Sequence, residues 1–95
     1  MVLEMHVFTI KQGKGPEFEE LIRRIRELAR SGPGPVSTKV WRHMHRPDEY
    51  LVLNEFEKKE DDVAGERDPE FINLRRQMNE LTEKKPAKDL WVEVA

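Results

Sequence analysis

Val2–Lys11, VLEMHVFTIK, is the stretch on which the fold turns. It is rich in β-branched and apolar residues and too short for a typical buried helix, so it reads as a strand. Successive strand side chains point to opposite faces. One face therefore carries Leu3, Met5 and Val7, and the other Glu4, His6, Phe8 and Ile10. A strand apolar on both sides is covered on both sides, and that requires more than one layer.

Downstream, Gln12-Gly13-Lys14-Gly15 breaks the strand, and Pro16 suits the first turn of a helix, where its missing N–H is no loss. Glu17, Glu19 and Glu20 then lie at the positive end of the helix dipole, with Arg23, Arg24, Arg26 and Arg30 towards the negative end. Phe18, Leu21, Ile22, Ile25, Leu28 and Ala29 form one apolar stripe, and Gly32-Pro33-Gly34-Pro35 ends the run. Val36–Arg46 alternates as a second strand, Arg46-Pro47-Asp48-Glu49 makes a turn, and Tyr50–Phe56 returns as a third strand. Lys58–Gly65 reads as a short, irregular helical turn. Asp68-Pro69-Glu70 opens a second helix with Asp as N-cap, its stripe being Phe71, Leu74, Met78 and Leu81. Pro86 stops that run, and Leu90–Val94 is the last strand.

The order is βαββαβ, which predicts an α+β, ferredoxin-like antiparallel sheet with two helices on one face, residues 1–95 forming a single domain. No helix remains for the other face, where Leu3, Met5, Val7, Leu51 and Leu53 lie. A second copy is the simplest cover for it, so a homodimer is expected. Small chains need such help, because burial falls with size. With no cysteine, disulfides and thiolate metal sites are excluded.

Charged residues make up 38% of the chain, yet 17 basic against 19 acidic residues leave a net charge of −2. That balance argues against a nucleic-acid partner. No segment approaches the ~20 apolar residues that span a bilayer, so no membrane association is expected. Without an export signal the expected location is cytoplasmic.

Polar side chains on the helix-facing side of the sheet are the candidates for chemistry. Alternation groups His6 and Phe8 with Val52, Asn54 and Phe56, and Glu4 shares that side nearer the start of the strand. In a functional cleft His6 would act as base and Asn54 would donate to a substrate oxygen. In a structural one they would satisfy each other or nearby backbone. Arg75, one turn after Phe71, can reach the cleft and hold an anionic group. His43 and His45 lie two apart on one strand face, but an H-x-H pair needs a third ligand, and Glu49 is a weak candidate. Surface histidines beside a turn are the simpler account, and no metal is expected. Trp41 and Trp91 are assigned to the core or the dimer seam.

Several segments, in order, resemble the antibiotic biosynthesis monooxygenase family of dimeric α/β-barrel proteins. Thr9-Ile10-Lys11-Gln12-Gly13-Lys14 with Glu17-Phe18 resembles the family's opening. Gly34-Pro35-Val36-Ser37 with Trp41-Arg42 is similar to its loop into strand two. Pro47-Asp48-Glu49-Tyr50, Asn54-Glu55-Phe56-Glu57 and Asp68-Pro69-Glu70-Phe71 resemble its turn, the end of strand three and the entry to the last helix. The resemblance implies a homodimer with a cleft between sheet and helices in each protomer. In the enzymatic members it also implies oxygenation of aromatic polyketides or quinols without metal or flavin, hence no cofactor. Four positions depart from patterns found in the family. Phe56 stands where the enzymatic members usually carry Trp and lacks the indole N–H donor. Gly65 stands where a His is often found. In the heme-degrading branch, a strand-one Asn falls at His6 and the axial His falls at Arg75, whose permanent charge forbids ligation.

Two functions follow as expectations. One is a cofactor-independent monooxygenase acting on a small aromatic such as a hydroquinone or polyketide phenol. His6 and Asn54 would be catalytic, and Phe8, Val52, Phe56, Phe71 and Arg75 would bind substrate. The alternative is a non-catalytic dimeric small-molecule-binding or stress-associated domain with a vestigial cleft. Cavity size discriminates, because an enzyme needs a few hundred Å³ open to solvent.

Overall fold

The computed structural model describes residues 1–30, 34–58 and 68–95. The elements are β1 (Val2–Thr9), α1 (Gly15–Arg30), β2 (Ser37–Arg42), β3 (Glu49–Phe56), α2 (Pro69–Leu81) and β4 (Ala87–Val92). The four strands form one antiparallel sheet in the order β2-β3-β1-β4, with both helices on one face, as the βαββαβ pattern predicts. The expected turn within 58–65 falls largely on residues 59–67, outside the described residues, as does part of the Gly-Pro stop at 31–33.

The period-2 reading of the first strand sets the layers. Phe8 and Ile10 of the first strand and Tyr50 and Val52 of β3 pack with Phe18, Leu21 and Ile22 of α1 and Leu74 and Met78 of α2 in one buried cluster. Both helices turn their predicted stripes inward. Asp68 caps α2, accepting the Glu70 N–H at 2.8 Å, and Thr82 closes the other end through an N–H to the Asn79 carbonyl. Main-chain bonds from Lys11 to Leu81 and from Glu83 to Thr9, both 2.8 Å, tie the end of α2 to the end of β1. Gly13 takes a positive φ of 79° in the turn before α1. Gly15 meets the sheet so closely that a Cβ there would lie 2.7 Å from the Tyr50 hydroxyl.

All four strands differ from the sequence reading at one end or both, most in β2 and β4. β2 ends at Arg42, because His43 Nδ1 accepts the N–H groups of His45 and Arg46, each at 3.0 Å, and turns the chain. β4 starts at Ala87 and ends at Val92, because its ladder with β1 runs from Val7↔Ala87 to Val2↔Val92. Pairing with β1 sets these ends, and the apolar run Leu90–Val94 does not.

On the far face of the sheet, Leu3, Met5, Val7, Leu51 and Leu53 are only half-buried in the single chain. Trp41 pairs across from Leu51 and Trp91 from Leu3, and the two are 56% and 54% exposed. The tryptophans therefore do not fill the core; they extend the uncovered apolar face.

Candidate functional site

A cavity of about 590 Å³ opens between the helix-facing side of the sheet and the two helices. Its size falls within the range of roughly 300–1,000 Å³ typical of small-molecule sites. His6, Phe8, Val52, Asn54, Phe56, Phe71 and Arg75 all line it. The sheet supplies the polar floor, and Ile22 and Ile25 of α1 with Phe71 and Met78 of α2 supply apolar walls.

The floor is organised by Glu4, whose side chain sits almost entirely out of solvent at 6% exposure. Ladder register places Thr38, Asn54 and Glu4 in one row across β2, β3 and β1. Thr38 Oγ1 donates to Asn54 Oδ1 at 2.7 Å, and Asn54 Nδ2 donates to Glu4 Oε1 at 3.0 Å. His6, two residues along the same face, brings Nε2 to 2.5 Å from that same oxygen. Lys88 Nζ, opposite His6 in the β1–β4 ladder, lies 3.4 Å from Glu4 Oε2. His6 and Asn54 are thus joined through one carboxylate and do not meet directly.

Burial alone would push the Glu4 carboxyl up. The hydrogen bonds from His6 and Asn54, with the positive charge of His6 and Lys88, outweigh that and hold it below its ordinary value. Glu4 is therefore ionised at neutral pH and can only accept. Its partner Nε2 therefore carries a proton in that bond, which leaves Nδ1 as the ring nitrogen that can exchange one with a ligand. The His6 ring stacks on Phe8, with centroids 5.7 Å apart and planes within 19°, so the imidazole is fixed on two sides. Phe8 continues the aromatic contact to Phe18 and then to Tyr50. Tyr50 donates to Glu19 at 2.7 Å; burial and that carboxylate push its pKa up to about 12, so it stays a neutral strut.

The sequence reading named His6 and Asn54 but gave Glu4 no role. A single acid at a core-facing position of an apolar strand was the available signal. Thr38, Lys88 and Arg26 also line the cavity and were not anticipated as site residues. At the hairpin, Arg46 donates to Glu49 through Nε and Nη, and that bonding holds the Glu49 carboxyl below its ordinary value. Among the described residues, no group of three His, Asp or Glu side chains is placed to hold a metal ion. None of their helices is long and apolar enough to cross a membrane.

Residues 1–71 match the family model for antibiotic biosynthesis monooxygenase. The chain belongs to the antibiotic biosynthesis monooxygenase family. Solved structures with the same fold include a Nitrosomonas europaea protein provisionally assigned to that family, with TM-score 0.89, 14% identity and complete coverage of both chains. SnoaB, a cofactor-independent oxygenase from Streptomyces nogalater, superposes with TM-score 0.87 at 18% identity over 99% of this chain and 93% of its own. A conserved protein from Methanosarcina mazei gives TM-score 0.85 at 17% identity over 95% and 89%. Among curated protein sequences none matches. At these identities the likenesses establish the fold of this family member, and its chemistry rests on its own residues.

Proposed function

We propose that this family member is a cofactor-independent monooxygenase of small phenols or hydroquinones, with His6 as base and Glu4 as the group that positions it. The observation that carries this reading is an imidazole held through Nε2 by a buried carboxylate on the floor of a solvent-open apolar cavity. A carboxylate that fixes the tautomer of a histidine base and stabilises the resulting imidazolium is a recurring catalytic arrangement.

His6 Nδ1 takes the phenol proton, and the phenolate gives one electron to dioxygen. The phenoxyl radical and superoxide then combine at an unsubstituted ring carbon to form a hydroperoxide. Loss of water from that adduct, as the ring C–H proton leaves, yields the quinone. One oxygen atom enters the product and the other leaves as water, so phenol and dioxygen supply every atom and electron. The second N–H of Asn54 can steady the developing oxygen charge. Phe8, Val52, Phe56 and Phe71 line the apolar walls that keep water from the intermediate.

The uncovered apolar sheet face, with Leu51, Leu53, Trp41 and Trp91, supports a homodimer closed through that face. A second reading, a non-catalytic dimeric small-molecule-binding domain, draws on Phe56 in place of Trp and on an Asn54 amide already bonded to Thr38 and Glu4.

Dioxygen uptake in EDTA across a panel of hydroquinones and phenols with a free ring position separates the two. The oxygenase reading expects saturable uptake that falls by about 100-fold or more in His6→Ala, the usual reach of a general base. Uptake no faster than spontaneous oxidation, with retained ligand binding, would leave the binding domain in its place.

A further inference from the structure

Arg26 stands apart from the other charged groups of the cavity. Its Nε is the buried side-chain polar atom that lacks a hydrogen-bond partner among the described residues. Native proteins seldom leave such a donor unmatched. Both carboxylates of the described lining are committed elsewhere: Glu4 to His6, Asn54 and Lys88, and Asp68 to the N-terminus of α2. That lining carries four basic residues, Arg26, Arg75, Lys85 and Lys88, against those two acids. The cavity is thus positive in a chain whose net charge is −2.

We propose that Arg26 anchors an anionic substituent of the ligand, and that the cavity takes an aromatic carboxylate in preference to a neutral aromatic. A guanidinium presents Nε–H and a neighbouring Nη–H as a fork that fits the two oxygens of a carboxylate. Arg26 projects from α1 beside Ile22 and Ile25, whereas Glu4, His6 and Asn54 lie on the sheet. The acid group then pairs with Arg26 on the helix side, and the ring lies along the apolar walls. Rotation of the terminal torsions brings the covered Nε–H round to the ligand, and pairing relieves the unmatched donor. The inference rests on the cavity being the ligand site proposed above, and binding tests it apart from turnover.

The probes are 1-naphthol and 1-hydroxy-2-naphthoate, which share a ring and differ by one carboxylate, titrated without oxygen at fixed ionic strength. Wild-type protein is expected to bind the acid about 10-fold or more tightly than the phenol, the scale of one charge-assisted hydrogen bond. Arg26→Gln removes the preference and leaves 1-naphthol affinity unchanged. Arg26→Lys keeps the charge without the fork and retains part of the preference, and it serves if the Gln variant does not fold. Equal affinity for the two probes, binding of neither, or a preference that survives Arg26→Gln overturns the inference. Arg26-dependent acid binding without oxygen uptake would sink the oxygenase reading alone. Uptake on 1-naphthol with no acid preference would sink this inference alone.

Discussion

Glu4→Gln keeps the shape of the floor and removes its charge. The carboxylate accepts from His6 and Asn54 on one oxygen and faces Lys88 on the other. Lys88 is 41% exposed, so solvent screens most of that ion pair. The loss that counts is the charge-assisted bond to His6, worth about 1.5–3 kcal/mol. Sparing the burial of an anion offsets part of it, leaving a net destabilisation of about 1–2 kcal/mol. For a domain of this size each kcal/mol lowers the midpoint by roughly 4–8 °C. The assay is thermal and urea unfolding of both proteins at equal protomer concentration, because association shifts apparent stability. The pH dependence carries a sign. The folded Glu4 carboxyl lies below its ordinary value of 4.5. Its contribution is therefore full above that pH and is lost as pH falls through the folded value. The gap between wild type and Glu4→Gln should hold near neutrality and close below pH 4.5. An unchanged midpoint at neutral pH, or a gap that widens on acidification, would refute the role given to Glu4.

Three further outcomes test the fold around the site. Leu51→Glu sets a carboxylate in the middle of the uncovered face, and light scattering is expected to show dimers for wild type and monomers for the variant. An unpaired charge in such a seam costs ~3 kcal/mol or more, about 100-fold in dissociation constant. Gly15→Ala places a Cβ 2.7 Å from the Tyr50 hydroxyl. Urea unfolding should report a loss of about 1–3 kcal/mol as Tyr50 is displaced from Glu19. Leu74, 1% exposed, lies in the core and outside the cavity lining. Leu74→Ala should lower stability by about 2–5 kcal/mol while leaving ligand affinity unchanged at temperatures where it is folded.

Most of the architecture was legible because period and punctuation carry it. The alternation of Val2–Lys11 put His6, Phe8 and Ile10 towards the helices, and Asp68-Pro69 marked the start of α2. The contacts of the site were less legible, because they depend on register between distant segments. Glu4 and Asn54 face each other only through the β1–β3 ladder, and Thr38 joins them only through β2–β3. Lys88 was missed because the last strand was read from its apolar run, whereas pairing with β1 starts it at Ala87. Arg26 was read as one of four arginines near the negative end of a helix dipole. Helical spacing does not say whether a residue at the edge of a stripe meets water or a cavity. The tryptophans were legible as core or seam residues, and only the register that sets Trp41 across from Leu51 and Trp91 across from Leu3 places them on the uncovered face.

In the proposed function, His6, held by Glu4, starts the insertion of one oxygen atom from dioxygen into a phenol. Mass spectrometry of the product formed under isotopically heavy dioxygen, in chelator, tests it most directly. One heavy oxygen per quinone is expected with wild-type protein and none above background with His6→Ala. Quinone without the heavy label, or equal labelling with His6→Ala, would contradict it.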